Sequence, residues 1–113
     1  MNKRKEGSIW ENLAAAYLAE QGLLILEKNY RTRLGEIDLI AKEKDTLVFV
    51  EVKYRKTDRM GLPEEAVTRK KQGTIRKVAE SYRSFHWKGT ETPCRFDVIA
   101  VLGEEITWIK NAF

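Results

Sequence analysis

Apolar positions near the start of the chain recur at helical spacing. Ile9, Trp10, Leu13, Ala14, Tyr17 and Leu18 fall on one side of a helix, and Gly22 supplies a stop. Ser8 with Glu11 behind it has the form of a capping box at the start of that helix. The period then shortens. Residues 23–31 (LLILEKNYR) and 36–41 (EIDLIA) read as two strands joined through the basic turn RTRLG, and residues 46–54 (TLVFVEVKY) read as a third strand after the polar turn KEKD. Residues 55–63 (RKTDRMGLP) combine Gly, Pro and charge without a period and predict a mobile loop. Helical texture returns over residues 64–85, where Val67, Ile75, Val78, Ala79 and Tyr82 are apolar, and Gly73 predicts a break into two helices. Residues 94–102 (CRFDVIAVL) and 105–113 (EITWIKNAF) close the pattern as strands on either side of Gly103-Glu104.

The order helix, three strands, helix, two strands predicts an α/β fold with a mixed central sheet of about five strands flanked by helices. A length of 113 residues suits one domain over residues 1–113, with residues 1–7 expected as a flexible basic tail. The longest apolar runs, Leu23 to Leu26 and Leu47 to Val50, are too short to cross a bilayer, and no secretory signal follows the basic start. The expectation is a cytoplasmic protein without a membrane partner. Cys94 is the only cysteine and His86 the only histidine, which excludes an internal disulfide and a His/Cys zinc cluster. A balance of 21 Lys and Arg against 17 Asp and Glu leaves +4, which permits a polyanionic partner without selecting one.

Chemistry concentrates on the third strand. Alternation puts Leu47, Phe49, Glu51 and Lys53 on one face and Val48, Val50 and Val52 on the other. So apolar a strand is expected to be central and buried, where an unpaired carboxylate is costly and Glu51 requires compensation. On the preceding strand Asp38 lies between Ile37 and Leu39, again a carboxylate inside an apolar run. If the two acids converge, their repulsion raises a pKa or recruits a divalent cation, and oxygen ligands without His or Cys suit Mg2+, or Mn2+ in its place. Lys53 would then sit beside the metal, placed to orient water and to neutralise charge on a transferring phosphoryl group.

Asp38, Glu51 and Lys53 together resemble the PD-(D/E)xK signature of the restriction-endonuclease-like superfamily. The longer strings GEIDLI, FVEVK, CRFDVIAV and WIKNAF resemble the YraN family of small bacterial proteins over nearly the whole chain. That resemblance implies a restriction-endonuclease-like core and a metal-dependent endonuclease acting on DNA, including branched or junction DNA. It also implies that Asp38 and Glu51 are metal ligands assisted by the backbone carbonyl of Val52, with Lys53 the catalytic lysine. Glu11 matches the first-helix glutamate of archaeal Holliday-junction resolvases, and by the same analogy a homodimer is expected. The segment VTRKKQ also resembles the family's pattern, which implies that Lys71 or Gln72 is an auxiliary contact to phosphate or water.

Each feature has a plainer alternative. Glu51 and Lys53 could be a surface pair on an edge strand, and Glu11 could do no more than cap its helix, although Ala15, Leu18 and Ala19 continue its stripe toward the sheet. Arg55, Lys56, Arg59, Arg69, Lys70 and Lys71 bracket the expected loop, either as an ordinary solvated surface or as a rim that tracks phosphates. Asp97 is expected in an ion pair with Arg95, the three tryptophans in packing, and His86 at a helix end. From a different class, a non-catalytic nucleic-acid-binding module that keeps the nuclease fold would bind DNA without magnesium.

Overall fold

The computed structural model of the chain describes residues 3–87 and 91–113, with side chains from Ser8 onward within that range. Helix α1 (Lys3–Glu20) leads into strands β1 (Leu24–Thr32), β2 (Gly35–Glu43) and β3 (Thr46–Arg55). A 3-10 turn (Pro63–Ala66), helix α2 (Arg69–His86) and strands β4 (Cys94–Leu102) and β5 (Glu105–Ile109) follow. The α/β class and the order α-β-β-β-α-β-β are those read from the sequence. The five strands form one mixed sheet in chain order, with β3 and β4 parallel and the other neighbours antiparallel. Parallel neighbours cannot be joined by a tight turn, and the 3-10 turn with α2 makes the crossover between them.

Element boundaries depart from the sequence reading in three places. Helix α1 begins at Lys3, so residues 3–7 are helical where a flexible tail was expected; Met1 and Asn2 of that tail lie outside the described residues. Ser8 is therefore inside the helix and cannot cap it, because its own backbone is already helical. Helix α2 runs without a break through Gly73, where an added Cβ would meet nothing within 4 Å, so no neighbour depends on glycine there. The interruption falls earlier, at Thr68, whose hydroxyl accepts from the Lys71 N–H at 3.2 Å and starts the helix. Strand β5 ends at Ile109, since Asn111 turns the chain at φ 52° and donates its N–H to Asp97 Oδ1 at 2.9 Å. Between Arg55 and Pro63 there is neither helix nor strand; Gly61 closes a turn onto Asp58 O at 3.0 Å.

Helices cover both faces of the sheet. On one, Ile75, Val78, Ala79 and Tyr82 of α2 pack on Ile37, Ile40, Leu47, Phe49, Phe96 and Val98. On the other, Ala14, Ala15 and Leu18 of α1 pack on Leu39, Ala41, Val48, Val50, Ile99 and Val101. Leu47, Val48, Phe49 and Val50 are fully buried, as a strand covered on both faces requires, and each such side chain contributes about 1.5–3 kcal/mol of burial. Among the described residues, no helix is long and apolar enough to cross a membrane.

Candidate active site

Strand β3 lies at the centre of the sheet, between β2 and β4, and it delivers Glu51 to the α2 side immediately after its buried run. Glu51 is 2% exposed, so it is not half of an edge-strand surface pair. Lys53 follows on the same face, half-buried.

The ladder between β2 and β3 runs from Glu43↔Thr46 to Leu39↔Val50. One step further stand Asp38 and Glu51. There the Val52 N–H donates to Asp38 Oδ2 at 2.8 Å, so a carboxylate takes the place of a strand partner. Side-chain alternation along β2 also breaks at this point, because Ile37 belongs to the α2 cluster and Leu39 to the α1 cluster, although two residues apart they should share a face. Across on β1, Asn29 sits opposite Asp38, between the pairs Lys28↔Leu39 and Tyr30↔Ile37, with a left-handed φ of 53°. At this distortion Asp38 is buried, and carboxyl groups interact with it from both sides of the sheet.

From the α1 side comes Glu11. It lies on the stripe of Ala14, Ala15 and Leu18, which are buried against the sheet, whereas Ala19 is exposed. Burial first, then the charge of Asp38 and a hydrogen bond with it, push the Glu11 carboxyl up to about 7, while a hydrogen bond with Asn29 opposes the rise. Glu11 therefore engages Asp38 rather than capping its own helix. From the α2 side, burial, a hydrogen bond with Asp38 and the charge of Asp38 push Glu51 up to about 9. Lys71 of α2 brings Nζ to 3.4 Å from Glu51 Oε2 without hydrogen-bond geometry, and that oxygen is buried with no hydrogen-bond partner among the described residues. Attraction to Lys71 and Lys53 lowers the Glu51 pKa, but a half-exposed lysine does not offset the desolvation of so buried a carboxylate.

Three carboxylates thus meet around Asp38, from α1, β2 and β3. Among the described residues no group of three acidic, histidine or cysteine side chains is preassembled to hold a metal ion. The donors nevertheless suit a hard divalent cation. They are oxygens only, two of the acids are buried, and Glu51 Oε2, which faces Lys71 at 3.4 Å without a hydrogen bond among the described residues, would accept such an ion. The Val52 backbone joins the site through its N–H, which donates to Asp38.

The basic residues divide. Arg55 ends β3 half-buried, with Nε lacking a hydrogen-bond partner among the described residues, while Lys56 and Arg59 are exposed on the following segment. Arg69 and Lys70 are exposed on the first turn of α2, a turn without an acidic residue, which is the reverse of what the helix dipole favours. Gln72 donates Nε2 to Val67 O at 3.1 Å. Asp97, which is fully buried, is an internal lock, accepting from Arg95 Nε at 3.1 Å, Trp108 Nε1 at 2.9 Å and the Asn111 N–H. Trp10 stacks on Tyr54 at 3.9 Å, Trp87 and Trp108 pack beside the two cores, and His86 ends α2. Asn29 was missed by the sequence reading. An asparagine inside a strand-like run is the available signal, since Asn tolerates left-handed backbone better than other side chains do.

A family model described as Uncharacterised protein family UPF0102 matches residues 10–101. The chain belongs to this family. UPF0102 is the YraN family whose strings the sequence resembles. Relatives match end to end. A UPF0102 protein of Lachnoclostridium phytofermentans is 55% identical over 113 residues, covering 100% of this chain and 96% of its own. One from Alkaliphilus oremlandii is 51% identical over 118 residues and covers 100% of both chains. The UPF0102 protein of Nitrosomonas europaea is 49% identical over 111 residues, covering 96% of this chain and 92% of its own. UPF0102 residues 10–101 include every member of the site: Glu11, Asn29, Asp38, Glu51, Lys53 and Lys71.

Proposed function

We propose that this chain is a metal-dependent endonuclease that hydrolyses phosphodiester bonds of DNA, with Asp38 and Glu51 as its central acids. Glu51 Oε2 carries the proposal: an acceptor buried without a hydrogen bond among the described residues, opposite a second buried carboxylate, is costly in a merely structural site and suited to a cation. Asp38 and Glu51 would hold Mg2+ or Mn2+, with the Val52 carbonyl and Glu11 as further oxygens. When bound, the ion supplies Lewis-acid activation of water and neutralises charge on the leaving oxygen.

The surrounding side chains have separable duties. Lys53, on the face of Glu51, orients the attacking water and balances charge gathering on the phosphoryl oxygens. Lys71, held by Glu51, would be free to contact phosphate if a cation took up that carboxylate. Arg69 and Lys70 extend positive charge along the first turn of α2, where backbone N–H groups also favour an anion. Two copies presenting two such sites suit a branched substrate.

Magnesium- or manganese-dependent cleavage of labelled linear, nicked, flapped and four-way-junction DNAs tests this. Wild type is expected to cut at least one of these shapes, and Asp38→Ala and Glu51→Ala to abolish cutting while remaining folded. Cleavage that survives both substitutions would refute the assignment. The Lys71 contact favours a second reading, a DNA-binding module without turnover in which a lysine permanently occupies the place of the cation. It predicts intact DNA throughout, with metal-independent binding equal in wild type and variants.

A further inference from the structure

A cavity of about 200 Å³ opens beside the acids on the α2 face. Its apolar walls are Val67, Val98, Ile109 and Phe113, and its polar edge is Glu64 with Gln72. Val98 is the β4 residue paired with Glu51 across the parallel ladder, and Gln72 follows Lys71 on α2. The cavity therefore borders the strand next to the one that holds the buried carboxylate. Its size is below the ~300–1,000 Å³ of sites that enclose drug-sized ligands. One planar ring system fits that space, and a dinucleotide cofactor does not.

The chemistry of the edge narrows the occupant. Glu64 contributes a carboxylate to the lining, which repels phosphate and accepts hydrogen bonds from a neutral donor. Arg69, Lys70 and Lys71 stand on the neighbouring helical turn, where they attract the anionic backbone from which such a group would hang. Apolar walls, an acceptor at the rim and cations just outside together match a nucleobase that carries an exocyclic amine. Resting on the nuclease reading above, we propose that this cavity receives one unpaired base next to the phosphate that faces the cation site of Asp38 and Glu51. The preferred substrate is then DNA with an unstacked nucleotide, at a bulge, flap or junction, rather than a fully paired duplex.

Binding measured with Ca2+ in place of Mg2+ separates this proposal from catalysis. Three labelled duplexes are compared: fully paired, with one unpaired cytosine, and with an abasic nucleotide at the same bulge. Wild type is expected to bind the cytosine bulge about tenfold more tightly than either of the others, the scale of one base stacked on a protein surface. Ala112→Trp, which fills the cavity from its exposed rim, should remove that preference while leaving paired-duplex binding unchanged. Glu64→Gln, which leaves the walls intact but exchanges one acceptor oxygen for a donor, should weaken the preference for the cytosine bulge over the abasic one. Equal binding of all three duplexes by wild type, or a preference retained in both folded variants, overturns the base pocket and leaves the nuclease reading standing. Failure to bind any of the duplexes overturns both.

Discussion

Glu51 and Asn29 place opposite demands on the site, one through desolvation and the other through backbone shape. The Glu51 carboxyl is pushed from 4.5 to about 9 by burial and by Asp38. Between those values the folded chain keeps a proton that the unfolded chain has released, so this contribution to stability is full below 4.5 and lost as pH rises to about 9. Without divalent metal, the thermal midpoint is expected to fall across that window, and Glu51→Gln to flatten the slope; an equal slope in the variant would place the titration elsewhere. Because Mg2+ must displace the same proton, its stabilising effect should be larger at about pH 8.5 than at about pH 6.5. Asn29 acts from the other side. Asn29→Gly keeps the left-handed backbone but removes the hydrogen bond that lowers Glu11, so carboxyl NMR titration should show Glu11 rising above its value of about 7. Asn29→Ala adds backbone strain of about 1 kcal/mol, which denaturant unfolding would register.

At the level of elements, the site depends on how α2 is seated on the sheet. Gly35, at the start of β2 with φ 149°, lies under this helix, and a Cβ there would come within 2.6 Å of Thr74 Cγ2. Gly35→Ala is expected to cost about 2 kcal/mol in urea unfolding, and adding Thr74→Ser, which deletes that methyl group, to recover only the steric part. Full recovery would mean that the backbone at Gly35 carries no strain; no recovery would mean that the helix does not bear on this hairpin. The strands were legible because alternation and turn residues are local signals. Gly73 misled because glycine lowers helix propensity without forbidding a helix, and packing of Ile75, Val78, Ala79 and Tyr82 overrides the cost. The Ser8–Glu11 pattern misled in the same way, since a capping motif acts only where the helix begins.

Over the whole molecule, the +4 charge is modest, and its placement matters more than its size. Arg69→Gln with Lys70→Gln should flatten the dependence of log K on log salt for DNA binding by about 0.9 for each phosphate that is no longer neutralised, whereas Asp38→Ala should leave that slope unchanged. A slope unaffected by the basic pair would put the phosphate path on another surface. By itself the sequence determined the fold class, the order of elements, the buried central strand and which two acids, Asp38 and Glu51, stand on adjacent strands, because periodicity and burial of apolar runs are written locally. It also determined family membership through strings spread over most of the chain. Only the tertiary structure decided that Glu11 turns to Asp38 rather than to its own helix end, that Lys71 reaches Glu51, and that Asn29 distorts the sheet beside both. Those relations depend on which faces of distant elements meet and on where a ladder loses its register, and side-chain spacing along one strand or helix contains neither.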